Sequence, residues 1–178
     1  MFDNNKQRVC IFIDGSNLYH NLKNFGKPRI DFQKLVTRLV NGRQLVCVFY
    51  HNAPLDITFN PEKYWKQQKF FDELRKIPFF KVVLCKMRKY KKGGKIGAYE
   101  VKGDDVHLTV DLISGTYENN YDTAVIVSGD EDFVPALKKV QELGKRVENA
   151  YFIASASSAL KRASDFSICM NHIVKEFI

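Results

Sequence analysis

The chain has 178 residues, 45% of them hydrophobic, and a net charge of +8, with a pI near 9.3. That apolar content suffices to bury one core, so a single domain over 1–178 is expected, and no repeat, low-complexity tract or long linker divides it. Residues 1–8 lack the apolar core of a leader and no apolar run reaches bilayer length, which excludes a membrane protein and makes a cytoplasmic one the expectation. The positive charge favours a polyanionic partner. Cys10, Cys47, Cys85 and Cys169 are widely spaced without a CxxC pair, which argues against a zinc site or a redox motif. Three of them stand inside apolar runs as small hydrophobes, and buried free thiols suit a reducing compartment.

In chain order, Val9-Cys10-Ile11-Phe12-Ile13 is apolar throughout, the pattern of a strand covered on both faces, and it closes on Asp14-Gly15-Ser16-Asn17. Gly15 permits a tight turn, and Leu18, Tyr19 and Leu22 then recur at helical spacing. Ser16 or Asn17 caps that helix, or Asn17 instead gives its amide oxygen to a metal or holds a water. Phe25-Gly26-Lys27-Pro28 breaks the pattern. Asp31 caps a second helix carrying Leu35, Val36, Leu39 and Val40, which Asn41-Gly42 ends. Residues 44–50 form the second strand, with His51 beyond its end; a solvated loop histidine is favoured there over a phosphate contact or a metal ligand, since no partner is identifiable. A helix over 62–77 shows an apolar face of Tyr64, Phe70, Phe71 and Leu74, and a third strand covers 79–85.

The segment 86–102 carries Lys86, Arg88, Lys89, Lys91, Lys92, Lys95 and Lys102 against one acid, Glu100, with Tyr90 and Tyr99 interleaved. It reads as a basic hairpin or flexible loop. Cations track a phosphate backbone and tyrosine faces stack on unpaired bases, so a single-strand nucleic-acid arm is favoured over a loop merely made soluble by lysine. Gly103-Asp104-Asp105 follows, then Val106, Leu108, Val110, Leu112 and Ile113 in a helix apolar enough to be buried. One of Asp104 and Asp105 caps this helix and the other lies in its first turn, facing the end of the sheet that Asp14 marks. Asp111 lies about 10 Å along the axis and is expected to pair with Lys or Arg.

Residues 123–127 form a fourth strand that ends in Ser128-Gly129-Asp130-Glu131-Asp132. Taken alone, three consecutive acids are an ordinary helix start; two strands ending in aspartate are harder to ascribe to coincidence. A helix over 131–143 stops at Gly144, a weaker fifth strand runs towards Phe152, and Ser155-Ala156-Ser157-Ser158 caps a short helix. Residues 168–178 fit a short strand or a helix equally.

Strands alternating with helices predict right-handed crossovers and a three-layer α/β/α sandwich around a mainly parallel sheet of five or six strands. With the strand order 3-2-1-4-5, Asp14 and Asp130 face each other across the switch-point crevice, with Asp132 and the acidic start of the fourth helix alongside. Carboxylates gathered in this way repel unless a cation neutralises them, and oxygen donors without His or Cys select Mg²⁺ or Mn²⁺. A metal so held activates water against a phosphodiester. With the basic, tyrosine-bearing arm, hydrolysis of single-stranded RNA is the most economical reading.

Three ordered stretches resemble a known family. Ile13-Asp14-Gly15-Ser16-Asn17-Leu18, Lys102-Gly103-Asp104-Asp105-Val106 with Asp111-Leu112, and Val127-Ser128-Gly129-Asp130-Glu131-Asp132-Phe133-Val134-Pro135 followed by Gly144-Lys145 are similar to the NYN domains of the LabA-like group among the PIN-like nucleases, over about 8–166. The resemblance implies a PIN-like sandwich and a metal-dependent ribonuclease with Asp14, Asp105, Asp130 and Asp132 as its acidic site and Asn17 beside them. Asp104 and Glu131 are acids beyond the family's usual pattern, and Asp104 joins the candidate metal set. Two rivals remain: a catalytically silent RNA-binding or regulatory module, and an aspartyl-phosphate phosphotransferase built on Asp130 and Asp132. P-loop and dinucleotide fingerprints are absent. Phe2, Trp65 and Phe79-Phe80 are candidates for a homodimer patch.

Overall fold

The unbroken apolar runs become the central strands because both faces of the sheet are covered. In a computed structural model, residues 7–26, 29–58, 60–92 and 95–178 are described, those of 86–92 and 95–102 by their backbone alone. Strand β1 (Arg8–Asp14) leads into α1 (Gly15–Asn24), α2 (Phe32–Val40) and β2 (Gln44–Asn52). Helix α3 (Pro61–Arg75) and β3 (Phe80–Leu84) precede a pair of strands, β4 (Lys86–Lys92) and β5 (Lys95–Lys102). Then come α4 (Asp104–Tyr117), β6 (Thr123–Val127), α5 (Val134–Glu142), β7 (Arg146–Tyr151), α6 (Ser158–Ala163), β8 (Phe166–Cys169) and α7 (Met170–Ile173).

Six strands pair in parallel in the order β3-β2-β1-β6-β7-β8, while β4 and β5 form a separate antiparallel pair. The chain therefore winds outwards from β1 in one direction and from β6 in the other, as the alternation of strands and helices predicts. Alternate residues of β1 feed opposite layers. Val9, Ile11 and Ile13 pack with Leu18, Leu35, Leu39 and Phe71 under α1, α2 and α3, whereas Cys10 and Phe12 pack with Leu108, Leu112, Leu137 and Leu160 under α4, α5 and α6.

Local signals fix the helix ends. Asp31 accepts from the backbone N–H groups of Gln33 and Lys34, and Asn41 closes α2 in the left-handed region at φ 50. Asn60 caps α3, with Pro61 in its first turn, and Ser157 caps α6. The break expected at Gly26-Lys27-Pro28 lies partly outside the described residues, at Lys27 and Pro28.

Several expectations are refined. The tail supplies both alternatives in succession, since β8 adds a sixth strand and α7 follows it at once. The helix after β6 begins as a 3-10 turn, Glu131–Phe133, before α5 takes over at Val134. Helix α4 is not buried all round: Leu108 and Leu112 face the sheet, but Val106 and Val110 are 64% and 55% exposed. It lies on one face of the sheet, so apolar composition overstated its burial. Trp65 and Phe79 are exposed and Phe80 is buried, while Phe2 lies outside the described residues. Among the described residues no helix is long and apolar enough to cross a membrane.

Candidate active site at the carboxyl end of the sheet

Strands β1 and β6 are neighbours in register, Ile13 beside Val127, so the residues that follow each strand emerge together where the winding direction reverses. Asp14 ends β1 and is 7% exposed. Its Oδ1 accepts from the Asn17 N–H at 2.9 Å, which makes Asp14 the cap of α1 in place of Ser16 or Asn17. Its Oδ2 accepts from the Ser128 hydroxyl at 2.9 Å. Burial raises the Asp14 pKa, those two donors oppose it, and the charges of Asp104 and Asp130 add to the rise.

Ser128 carries the connection onward. Its Oγ accepts from the Asp130 N–H at 3.2 Å, and Asp130 Oδ1 accepts from the Asp132 N–H at 3.1 Å, capping the 3-10 turn. Asp130 is half-buried and Asp132 exposed. Gly129, between Ser128 and Asp130, has no room for a side chain, since a Cβ there would stand 2.6 Å from the Ser155 carbonyl carbon. The Ser157 N–H donates to the Gly129 carbonyl at 2.9 Å, which ties this loop to the segment after β7.

Asp104 and Asp105 both lie in the first turn of α4; the cap position is Gly103, at φ 95, and no side chain caps the helix. The expectation that one of the two acids caps α4 is thereby corrected: glycine enters this left-handed conformation without a Cβ clash, and the acids sit one position later. Burial first, and then the charges of Asp104, Asp14, Asp130 and Asp132, push the Asp105 carboxyl up to about 6. The acids at the ends of β1 and β6 and at the start of α4 thus act on one another.

Asn17 is held differently. Its Oδ1 accepts from Asn21 Nδ2 at 3.0 Å and from the Ser155 hydroxyl at 3.3 Å, while Asn21 Nδ2 also reaches Ser155 Oγ at 2.9 Å. Ser128, Asn21 and Ser155 were not singled out in the sequence. The only sign of Ser128 was its place between a strand end and an acid run, Ser155 was marked only as part of a helix cap, and nothing local marked Asn21.

His51 is a clear correction. Strand β2 runs on to Asn52, which sets His51 opposite Asp14 in register and 1% exposed. Its Nε2 lies 2.8 Å from Asp111 Oδ2, so Asp111 pairs with this histidine rather than with Lys or Arg. Burial lowers the His51 pKa against the pull of Asp111. Among the described residues, its Nδ1 has no hydrogen-bond partner.

The basic segment is a hairpin, with Lys86 opposite Lys102 and Lys89 opposite Tyr99, and it leads through Gly103 into Asp104. The side chains of Lys86, Arg88, Lys89, Tyr90, Lys91, Lys92, Lys95, Tyr99 and Lys102 lie outside the described residues. Among the described residues no three His, Cys, Asp or Glu side chains stand close enough to hold an ion by themselves. The donors at the site are carboxylate oxygens, and Mg²⁺ is ordinarily held by one or two carboxylates with waters and substrate phosphate completing its shell. The residues present therefore fit a hard divalent ion.

A sequence model described as the NYN domain matches residues 8–171 of the chain. An uncharacterized protein of Methanocaldococcus jannaschii is 36% identical over 74 residues, a stretch that spans 42% of this chain and 30% of that protein. The crystal structure of a protein of unknown function from Vibrio parahaemolyticus superposes with a TM-score of 0.72 over 96% of both chains, at 23% identity, and shares the fold.

Proposed function

Because the chain belongs to the NYN domain family, a family of PIN-like nuclease domains that generally use divalent metals, we propose that it is a Mg²⁺- or Mn²⁺-dependent endoribonuclease acting on single-stranded RNA. The observation that carries this reading is the gathering of acids from the ends of β1 and β6 and the start of α4, where burial first and then the charges of Asp104, Asp14, Asp130 and Asp132 lift the Asp105 carboxyl to about 6, a repulsion that a divalent cation would neutralise. Of Asp14, Asp105, Asp130 and Asp132, one or two would hold the ion directly and the others through its waters, with Asp104 beside Asp105 in the first turn of α4. When bound, the ion supplies Lewis-acid chemistry, making a water more acidic and stabilising the departing oxyanion.

The remaining work falls to the chain itself. The Asn17 N–H and the Ser128 hydroxyl hold both Asp14 oxygens, and the same hydroxyl orders the loop carrying Asp130. Asn17, anchored by Asn21 and Ser155, stands beside the reacting group. Lys86, Arg88, Lys89, Lys91, Lys92, Lys95 and Lys102 follow the phosphates, and Tyr90 and Tyr99 stack on bases, so a strand drawn along the hairpin is delivered to Asp104 and Asp105.

Cleavage of an unstructured, end-labelled RNA in Mg²⁺, Mn²⁺ or EDTA tests the proposal, with Asp14→Asn and Asp130→Asn proteins alongside. Metal-dependent shortening that both substitutions abolish is the expected result. RNA bound but left intact by the parent protein would replace the nuclease with a silent RNA-binding module.

A further inference from the structure

A cleft of about 630 Å³ opens on the α4 side of the sheet. Phe12 and Phe49 stack in its floor with centroids 5.3 Å apart, next to the thiols of Cys10 and Cys47. The two cysteines lie four residues back along β1 and β2 from Asp14 and His51, about 13 Å at strand spacing. Their wide separation in sequence conceals a close pairing, for they are register partners on adjacent strands and both line this cleft. Neighbouring strands run about 4.8 Å apart, inside the Cα separation of about 4.4 to 6.8 Å that a disulfide spans.

The surroundings treat the two sulfurs differently. The adjoining Cys10 thiol favours the Cys47 thiolate, and the Lys81 ammonium, 5.1 Å above the Phe49 ring, adds positive charge. Together they draw the Cys47 thiol down to about 7 against burial and the charge of Asp111, whereas Cys10 is pushed up by its partner and by burial. Glu118 and Tyr121 complete the titratable groups lining the cleft. In its neutral form Cys47 donates to the Phe79 carbonyl at 3.4 Å, which opposes ionisation in part. Cys85, by contrast, is buried near Asp104 and Asp105 and is pushed up to about 11.

We propose that Cys10 and Cys47 form a peroxide-reactive dithiol, a modification site in this cleft at which a hydroperoxide is reduced and β1 becomes joined to β2 by a disulfide. With hydrogen peroxide, the Cys47 sulfur attacks one oxygen, the O–O bond breaks, and the departing hydroxide takes up a proton and leaves as water. Cys47 is then a sulfenic acid. The Cys10 sulfur attacks the Cys47 sulfur, the S–O bond breaks, and a second water carries away the Cys10 proton. Two thiols have lost two electrons and two hydrogens, and the peroxide has become two waters.

The test treats the reduced full chain with hydrogen peroxide in EDTA at neutral pH, blocks the remaining thiols, and maps the digested peptides by mass spectrometry. A linked pair of peptides holding Cys10 and Cys47, restored by dithiothreitol, is expected. It should form at least about tenfold faster than Cys85 is oxidised, because at neutral pH a thiol at about 7 is far more ionised than one pushed up to about 11. Cys10→Ser should stop the reaction at a Cys47 sulfenic acid that dimedone traps. Faster oxidation of Cys85 or Cys169, or recovery of Cys10 and Cys47 unmodified from the parent protein, overturns the assignment whatever the variant does.

Discussion

Removing the Ser128 hydroxyl tests how Asp14 is maintained as a buried acid. In Ser128→Ala, Asp14 Oδ2 loses the donor at 2.9 Å and the Asp130 N–H loses its acceptor at 3.2 Å, while the surrounding backbone is unaltered. A hydrogen bond to an ionised group contributes about 1.5–3 kcal/mol, and one to a neutral group about 1 kcal/mol. The Asp14 pKa is already raised, chiefly by burial, so the stability linked to its protonated form is present below the unfolded carboxylate value and is lost as pH rises through the folded one. Loss of Ser128 raises the folded value further. The variant is therefore expected to be destabilised by about 2 kcal/mol at neutral pH and by roughly half of that in acid, where the carboxyl is neutral. Urea unfolding followed by circular dichroism measures both. In an Asp14→Asn background the same substitution should cost less, with a coupling of about 1 kcal/mol. Equal stability of variant and parent at neutral pH, or a larger loss in acid, would refute the account of Asp14.

Two further outcomes are expected. Asp105, lifted to about 6 by burial and by its four acidic neighbours, costs stability as pH rises through that value, because its neutral form is the one the fold favours. Asp105→Asn should therefore raise the melting temperature at neutral pH, leave it nearly unchanged in acid, and reduce the further rise that Mg²⁺ gives the parent; thermal melts across pH with and without Mg²⁺ check this. Arg43 and Glu148 form a two-pronged pair at 2.8 and 2.9 Å with both side chains 7% exposed, so Glu148→Ala should cost about 3–5 kcal/mol by leaving a buried guanidinium unpaired. Replacement of both partners by apolar residues should recover much of that loss in the same unfolding assay.

Much of the architecture could be read locally. Strands β1 and β6 are covered on both faces, so they had to be written as unbroken apolar runs, and a residue such as Asp14 could stand only at their ends. A cap such as Asp31 acts within three residues of itself and was legible for the same reason, whereas the Asn60 cap of α3 was not anticipated. Helix α4 misled because composition does not distinguish a helix sunk in a core from one lying on a sheet with Val106 and Val110 outward. His51 misled because strand β2 ran past its apolar run, and only the register with β1 and the approach of Asp111 made a polar residue worth burying there.

Periodicity and neighbours a few residues away were enough to order the strands and helices up to Phe152, to place acids at strand ends and to mark the basic segment before α4, though not to choose between hairpin and loop for that segment. The tertiary structure alone decided that Ser128 donates to Asp14 across 114 residues, that Asp105 feels the charge of acids from two other segments, and that Cys10 meets Cys47. Such contacts are set by strand order and register, and their energies depend on burial and on facing charges that exist only once the sheet has assembled.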